Sequence, residues 1–262
     1  MSKIGAQLYT LRDYLKTPED IDATFEKVAK IGYKVMQASG FDLASNPQMV
    51  RDLADKHGLK IINTHYPLAF DGSNLEKAIA DHKILGADYI GLGALPPSFI
   101  SEKGFAEFAQ QFDKLAVELK KEGIGLTYHN HQFEFVKFGG KTGFEIMMEN
   151  SENFTFLLDT YWAQFAGTNP AVMIDSLAAK GRIELVHYKD MTMALDPNGG
   201  NPYASVQAMA PVGEGNIDWV SVDKAVENAG VKYCFVEQDN CYGADPFECM
   251  AKSFANMQAR GL

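Results

Sequence analysis

The sequence predicts a (β/α)8 barrel that forms one domain over residues 1–262. Eight short apolar segments alternate with segments of helical periodicity, and seven of the helical segments run into a glycine. Strict alternation of strand and helix predicts parallel strands joined by right-handed crossovers, and eight such units close into a barrel. The length of 262 residues and the 46% apolar content are sufficient for one large core.

Each predicted strand is a run of about four or five residues rich in β-branched, aromatic or other apolar side chains. The eight runs are Ile4–Leu8, Lys34–Gln37, Lys60–Asn63, Tyr89–Leu92, Gly125–Tyr128, Thr155–Leu158, Glu184–His187 and Tyr233–Val236. An open, doubly wound sheet usually carries a glycine-rich phosphate loop after its first strand. The sequence at that point is Gln7-Leu8-Tyr9-Thr10-Leu11-Arg12, without a G-x-G-x-x-G motif, and therefore favours the barrel.

Signals at both ends mark the predicted helices. A capping side chain followed by proline, typical of a helix N-terminus, occurs at Thr17-Pro18, Asn46-Pro47, Asn169-Pro170 and Asp245-Pro246. Glycine suits the left-handed residue that ends many helices, and the glycines that follow the predicted helices are Gly32, Gly58, Gly86, Gly123, Gly181, Gly230 and Gly261. The irregular stretch from Met191 to Asn216, rich in Pro, Gly and Asn, is predicted to be an active-site loop or lid.

Charge and hydropathy argue against two classes of partner. The formal net charge is −10 and Lys and Arg form no runs, so a nucleic acid would meet a surface of like charge. No segment approaches the roughly 18 apolar residues of a membrane helix, and the N-terminal segment turns polar at Gln7 before an apolar signal region can form. We therefore expect a cytoplasmic protein that acts on a small molecule. Whether it forms a homo-oligomer stays open.

Polar and ionisable residues follow four consecutive predicted strands, at the ends that form the barrel mouth. They are His129 to Glu134 after the fifth strand, Asp159 after the sixth, His187 with Lys189 and Asp190 at the seventh, and Glu237 with Gln238 and Asp239 at the eighth. In such barrels the residues just past the strand C-termini carry the chemistry. An imidazole and three carboxylates from adjacent strands suit Mn²⁺, Mg²⁺, Co²⁺ or Zn²⁺, and we expect Mn²⁺ first. The alternative for each residue is a structural role, such as capping, core packing or a solvated strand-end charge.

The ordered motifs at these strand ends resemble those of the sugar phosphate isomerase/epimerase family, the xylose isomerase-like barrels that include ketose 3-epimerases and inosose dehydratases. The motifs are Tyr128-His129-Asn130-His131-Gln132-Phe133-Glu134-Phe135, Leu158-Asp159-Thr160-Tyr161-Trp162, His187-Tyr188-Lys189-Asp190, Val212-Gly213-Glu214-Gly215-Asn216-Ile217-Asp218-Trp219 and Val236-Glu237-Gln238-Asp239. The resemblance spans essentially the whole chain and implies a xylose isomerase-like TIM barrel.

The resemblance also implies a set of metal ligands. Carried over position by position, they are Glu134, Asp159, His187 and Glu237. Two positions depart from the ketose epimerases. Their first Glu lies at the strand end itself, where this chain has His129, so the loop must fold back for Glu134 to reach the metal. Trp162 stands where those epimerases have a substrate-binding His, which leaves the substrate unassigned.

The reaction implied by the resemblance is that of a metal-dependent sugar isomerase or epimerase. A proton leaves the carbon next to a carbonyl while the divalent cation stabilises the enediolate. Glu134 and Glu237 are the candidate acid and base. His129 and His131 are alternative candidates for the base, and an imidazole base favours the alternative of a lyase of the inosose dehydratase or keto-glycoside-eliminating type. A non-catalytic sugar-binding function is a further alternative. An endonuclease IV-like repair enzyme is disfavoured, because it would need more histidines at the mouth.

Further residues near the mouth are candidates for contacts with a sugar. They are Gln7, Tyr9, His65, His129, Trp162, Lys189 and Glu214. Lys189 either stabilises an anionic intermediate or pairs with Asp190. Glu214, in a tight glycine-flanked turn, either reaches the substrate or lies in solvent. No phosphate-binding motif is visible, so the sequence does not assign a phosphorylated substrate.

Overall fold

The computed structural model describes residues 3–195 and 204–262 and has a parallel barrel at its centre. Its strands, numbered β1 to β8, are Ile4–Gln7, Val35–Ala38, Lys60–Thr64, Tyr89–Leu92, Gly125–His129, Thr155–Asp159, Ile183–Tyr188 and Tyr233–Val236. Their order in the sheet is β3-β2-β1-β8-β7-β6-β5-β4, and all neighbours are parallel. A parallel bridge between His65 and Gly91 joins β3 to β4. The predicted (β/α)8 fold is confirmed, and each strand end lies within one residue of its predicted position.

Helices surround the barrel and connect successive strands. They are α1 to α9, at Pro18–Ile31, Pro47–Lys56, Leu75–Leu85, Glu102–Lys121, Gly143–Glu149, Thr160–Phe165, Pro170–Ala178, Trp219–Asn228 and Pro246–Ala259. Short 3-10 turns occupy Leu8–Tyr14, Pro97–Phe99 and Phe133–Phe135. Every strand is therefore followed by at least one helix before the next strand, which is the connection that parallel neighbours require.

The predicted helix ends are confirmed. The side chains of Thr17, Asn46, Asn169 and Asp245 each accept a hydrogen bond from a backbone N–H in the first turn of the following helix. The seven glycines predicted to end helices all have positive φ, between 64° and 125°. L-residues rarely adopt this conformation, so these glycines direct the chain from each helix into its next segment.

The stretch from Met191 to Asn216 is more regular than predicted. Asp190–Leu195 and Ser205–Ala210 form an antiparallel hairpin beyond β7. Residues 196–203, in the middle of the stretch predicted to be an active-site loop or lid, lie outside the described residues. After the hairpin, the buried Asp190 carboxylate accepts hydrogen bonds from the Gly213 and Gly215 amides and from the Trp219 indole N–H, and so fixes the turn that leads into α8.

The barrel interior changes from apolar to polar along its axis. At the N-terminal end it is filled by Val35, Ile62, Tyr89, Leu157, Leu185 and Phe235. Towards the mouth, Gln7, Gln37 and Asn63 are fully buried cross-strand neighbours on β1, β2 and β3. Since alternate strand residues face inwards and outwards, the last strand residues that face inwards project into the mouth.

None of the helices in the two described ranges combines the length and the apolar character needed to cross a membrane.

Candidate metal centre

Four buried side chains converge at the mouth of the barrel. His129 and Asp159 are the last residues of β5 and β6, His187 lies near the end of β7, and Glu237 directly follows β8. One donor atom from each lies within 4.8 Å of the donor atoms of the other three. Strand alternation explains the convergence, because neighbouring parallel strands end at the same rim and present the same face.

Each imidazole is held so that one nitrogen faces the carboxylates. His129 Nδ1 lies 3.1 Å from the Gly93 carbonyl oxygen, and its Nε2 lies 3.1 Å from Asp159 Oδ2. His187 Nε2 lies 2.8 Å from the Gln37 side-chain oxygen, and its Nδ1 lies 2.9 Å from Glu237 Oε2. A neutral imidazole has one donor and one acceptor nitrogen. With the protons on the outer nitrogens, the inner nitrogens and the carboxylates all present lone pairs to the same small space.

The cluster attracts positive charge. Burial opposes ionisation of Asp159 and Glu237, but Lys189 and the neighbouring imidazoles hold the pKa of both carboxyls below its ordinary range. Burial also opposes protonation of His187, yet Glu237 and Asp159 raise the pKa of this imidazole. The Nδ1 atom of His187 is buried without a hydrogen-bond partner, although a carboxylate oxygen is adjacent. Two carboxylates and two imidazoles thus fit a divalent cation of the Mn²⁺ or Zn²⁺ type.

Lys189 lies at the edge of the cluster and is almost fully buried. Its ammonium is 2.7 Å from Asp239 Oδ2, 3.3 Å from Glu237 Oε2 and 3.7 Å from Asp159 Oδ2. Burial opposes its ionisation, but these carboxylates raise the pKa of Lys189 above its ordinary range. Burial and the charge of Glu237 raise the pKa of Asp239 to about 6. Lys189 therefore pairs with Asp239, and the sequence alternative of a pair with Asp190 is wrong.

A cavity of about 390 Å³ opens above the cluster. It is lined by Tyr9, Ser39, Gly40, His65, Gly93, Ala94, His129, His131, Lys189, Glu237 and Asp239. Of the residues proposed for sugar contacts, it brings together Tyr9, His65, His129 and Lys189. Trp162 adjoins this group, with its ring centroid 5.2 Å from that of His131 and the Lys189 ammonium 5.3 Å from the indole centroid. The volume is in the range of small-molecule sites.

The structure does not bring Glu134 to the cluster, in contrast to the implied ligand set. Glu134 is fully buried; one carboxylate oxygen accepts a hydrogen bond from the Tyr128 hydroxyl and the other accepts one from the His131 amide at 2.9 Å. The Tyr128 ring packs outwards, against Phe108 and Phe112 of α4. The loop after β5 thus folds back on the helix side of the strand, and His129 supplies the fourth donor instead.

Two of the residues proposed for sugar contacts lie away from the cavity lining. Gln7 is buried below the mouth, where its side-chain oxygen accepts a hydrogen bond from the Tyr9 amide. Glu214 keeps 43% of its side chain exposed and lies 3.9 Å from Lys252 of α9, so it points towards the outer helix layer. In both cases the chain path, rather than the motif, decides where the side chain points.

Several lining residues were not identified from the sequence. Ser39 follows β2 and donates or accepts a hydrogen bond with His65 Nδ1 at 3.0 Å, and Gly93 follows β4. A side chain at Gly93 would place its Cβ 2.8 Å from His65, so glycine makes room for the imidazole. Their position just past a strand end was the available signal, but Ser and Gly are common there for other reasons.

The fold and the cluster define a (β/α)8 barrel with a buried two-histidine, two-carboxylate site at its C-terminal mouth. The sequence pattern of the xylose isomerase-like TIM barrels matches residues 25–253. The chain belongs to this family.

Solved structures share the whole fold. A sugar phosphate isomerase/epimerase from Parabacteroides distasonis has 22% sequence identity and a TM-score of 0.80, over 100% of this chain and 96% of that one. An enzyme described as a probable 3-DHS dehydratase from Bacillus anthracis has 15% identity and a TM-score of 0.69, over 97% of this chain and 99% of that one. An L-ribulose 3-epimerase has 16% identity and a TM-score of 0.67, over 99% and 94%. No curated protein sequence matches the chain.

Proposed function

We propose that the protein is a metal-dependent enzyme that removes a proton from the carbon next to a carbonyl group of a sugar, as an isomerase or epimerase. The observation that carries the proposal is the buried cluster of His129, Asp159, His187 and Glu237 at the floor of a sugar-sized cavity. Similarity to a sugar phosphate isomerase/epimerase and to an L-ribulose 3-epimerase supports the same class of reaction.

The four cluster residues are the proposed ligands. Their two carboxylates balance the charge of a divalent ion, and the mixed nitrogen and oxygen donors suit Mn²⁺ first, with Mg²⁺, Co²⁺ and Zn²⁺ as alternatives. When bound, such an ion supplies the Lewis acidity that makes a C–H bond next to a carbonyl acidic. Glu134, which the family resemblance implied as a ligand and as a catalytic group, is not included, because its carboxylate is buried against Tyr128.

Two groups that line the cavity are the proposed proton-transfer groups. Glu237 is the cluster carboxylate that also lines the cavity, so we assign it as the base that takes the proton from carbon. His131 lines the cavity from the loop after β5, and its Nδ1 is buried without a hydrogen-bond partner. We assign His131 as the second proton-transfer group. Epimerisation needs proton removal on one face and return on the other. Burial lowers the pKa of His131 to about 3, so we propose that its neutral imidazole relays the returning proton from water and that Glu237 releases the abstracted proton to water.

The charges of the site favour an uncharged sugar over a sugar phosphate. A divalent ion balances Asp159 and Glu237, and Lys189 is balanced by Asp239 at 2.7 Å. Within the described residues, Lys189 is the one Lys or Arg that lines the cavity, and its charge is paired with Asp239, so the lining itself offers a phosphate no free cation. Trp162 beside His131 offers an apolar wall for a sugar face.

A second candidate, a lyase that eliminates a group β to the carbonyl, is favoured by His129. An imidazole at the end of β5 leaves Glu237 as the one carboxylate that both belongs to the cluster and lines the cavity. Elimination needs one base on one face, and so fits this arrangement as well. The similar fold of a probable 3-DHS dehydratase supports keeping this reaction in the test.

The test follows deuterium from solvent into a panel of free ketoses, ketose phosphates and 3-keto-glycosides, with Mn²⁺ added. We expect deuterium at the carbon next to the carbonyl of an unphosphorylated substrate, and loss of exchange after chelation or in Glu237→Gln. The matched control is Glu118→Gln, which makes the same change at an exposed carboxylate paired with Lys121.

Three results separate the alternatives. An enone absorbance from a 3-keto-glycoside, without epimer, assigns the lyase. Exchange restricted to phosphorylated ketoses contradicts the argument from charge. Absence of exchange across the panel, with no stoichiometric metal and with sugar affinity unchanged in Glu237→Gln, refutes the enzyme and indicates a sugar-binding barrel.

A further inference from the structure

Gln37, on β2, makes the side-chain contact that orients one imidazole of the cluster. Its side-chain oxygen lies 2.8 Å from His187 Nε2, and both residues are fully buried. We propose that Gln37 is a positioning residue that keeps the proton of His187 on Nε2, so that Nδ1 is the nitrogen that binds the metal. The inference rests on the metal site proposed above, and it adds a residue and a tautomer to it.

The geometry links the Gln37 contact to the inner face of the imidazole. An amide oxygen only accepts hydrogen bonds, so the His187 nitrogen opposite it must carry a hydrogen. In a neutral imidazole the other nitrogen then has its lone pair free. That nitrogen, Nδ1, lies 2.9 Å from Glu237 Oε2 and 3.8 Å from Asp159 Oδ2, the two carboxylates of the cluster.

The reverse orientation of the amide would oppose metal binding. If the Gln37 Nε2 faced His187, it would donate to the ring Nε2 and shift the imidazole hydrogen to Nδ1. That N–H would then point at Glu237 and occupy the direction of the metal. The neighbours of Gln37 in the sheet are Gln7 and Asn63. No hydrogen-bond partner of the Gln37 Nε2 is found within the described ranges, so the side-chain contact that Gln37 makes there is the one between its oxygen and His187.

The second imidazole of the cluster does not depend on a side chain in this way. His129 Nδ1 faces the backbone carbonyl of Gly93 at 3.1 Å, which no substitution at that position removes. The edge of the Phe235 ring also packs near His187, with 6.3 Å between ring centroids, and limits the space for the imidazole. Within the described ranges, Gln37 is therefore the side chain outside the cluster through which the tautomer of a ligand can be changed.

Gln37→Met tests the proposal, because methionine keeps the length of the side chain and removes the hydrogen-bond acceptor. Gln7→Met is the matched control, since it makes the same change at the cross-strand neighbour on β1. The readouts are Zn²⁺ affinity by calorimetry and ¹⁵N NMR of the histidine rings in the Zn²⁺-loaded, full-length protein, with circular dichroism and thermal unfolding to verify the fold. Gln37→Glu provides rescue, because a carboxylate restores the acceptor.

We expect the loaded wild type to show one ring bound through Nδ1 with Nε2 protonated, and one with the opposite pattern. Gln37→Met should weaken Zn²⁺ binding about 10–100-fold, the usual effect of losing the hydrogen-bond partner of a metal-bound histidine, and should remove the Nδ1-bound signal. Gln7→Met should keep both signals and the affinity, and Gln37→Glu should restore them. Binding of His187 through Nε2 in the wild type, or equal Zn²⁺ affinities in Gln37→Met and Gln7→Met, would overturn the proposal.

The same spectra separate this proposal from the metal site on which it rests. If the wild type binds no stoichiometric Zn²⁺, the metal site fails. The metal-free protein then still reports on Gln37, because Nε2 of His187 should carry a hydrogen in the wild type. A metal-free His187 whose Nε2 is unprotonated contradicts the role of Gln37 even if another metal site is found.

Discussion

Replacing Glu134 by glutamine should stabilise the protein at alkaline pH and leave metal binding intact. Glu134 is buried, and its partners are the Tyr128 hydroxyl and the His131 amide. A glutamine in the same position can accept from the His131 amide through its oxygen and donate to the Tyr128 oxygen through its nitrogen. The substitution therefore keeps both contacts and removes only the buried charge.

The magnitude follows from the pKa of Glu134. Burial is the main cause that raises this pKa from 4.5 to about 7. The folded protein thus binds a proton at Glu134 more tightly than the unfolded chain does. The contribution of this proton to the free energy of unfolding is complete below pH 4.5 and is lost as the pH rises through 7. Between pH 5 and pH 8, ionisation of Glu134 should cost roughly 2–3 kcal/mol of the free energy of unfolding. Glutamine avoids this cost.

Urea unfolding of wild type and Glu134→Gln at pH 5 and pH 8, with a chelator present, measures the effect. As the pH rises from 5 to 8, the free energy of unfolding of the variant should increase relative to that of the wild type by roughly 2–3 kcal/mol. Glu118→Gln, at an exposed carboxylate, should show no such change relative to wild type. A stability difference that is the same at both pH values, or loss of metal binding in Glu134→Gln, would show that Glu134 does not lie in the buried position described here.

Two further substitutions test the charges around the cluster. Lys189→Met removes an ammonium that lies 3.3 Å from Glu237 and competes with the metal for this carboxylate. The Mn²⁺ affinity measured by calorimetry should therefore rise at least severalfold. Weaker binding would contradict the pairing of Lys189 with Asp239. Asp190→Asn replaces a buried carboxylate whose oxygens accept hydrogen bonds from four backbone amides and the Trp219 indole. Because an amide nitrogen cannot accept, we expect the free energy of unfolding in urea to fall by about 3 kcal/mol. A loss below about 1 kcal/mol would mean that these bonds do not hold the turn.

The barrel could be predicted from the sequence because its signals are local. Strands buried on both faces give short continuous apolar runs, and a capping residue with proline or a glycine marks many of the helix ends. The hairpin of Asp190–Leu195 and Ser205–Ala210 was missed for a related reason. Its strands are partly exposed and lack a continuous apolar run, and the Pro, Gly and Asn residues between them dominate the composition of the whole stretch.

The position of a site residue could be predicted where it depends on strand alternation alone. Gly125, Thr127 and His129 share one face of β5, while Tyr128 faces the helices. This alternation was sufficient to place His129 at the mouth. Glu134 lies five residues further on, where the path of the loop decides its direction, and a family pattern carried over by position put it at the metal instead.

Contacts between distant parts of the chain were beyond local reasoning. The Lys189–Asp239 pair spans 50 residues and the Gln37–His187 contact spans 150. The first contact depends on the pairing of β7 with β8, and the second on the closing of the barrel, which brings β2 and β7 to one axis. A sequence shows that a lysine or a glutamine lies near a strand end, but its partner is set by the register of strands that are not adjacent in sequence.

An imidazole rather than a carboxylate at the end of β5 changes the charge that a reacting sugar meets. A divalent ion with three carboxylates carries a net charge of −1, whereas with Asp159 and Glu237 alone it is neutral, and the Lys189–Asp239 pair adds nothing. In the proposed reaction the substrate becomes an anion when its proton leaves. An extra negative charge about 5 Å away would disfavour that anion by roughly 3 kcal/mol at an effective dielectric constant of about 20. His129 removes this repulsion, so this cluster is better suited to hold the anion than a three-carboxylate site. In the proposed reactions such an anion either takes a proton back or expels a β substituent, so the charge of the cluster is compatible with both the epimerase and the lyase proposal.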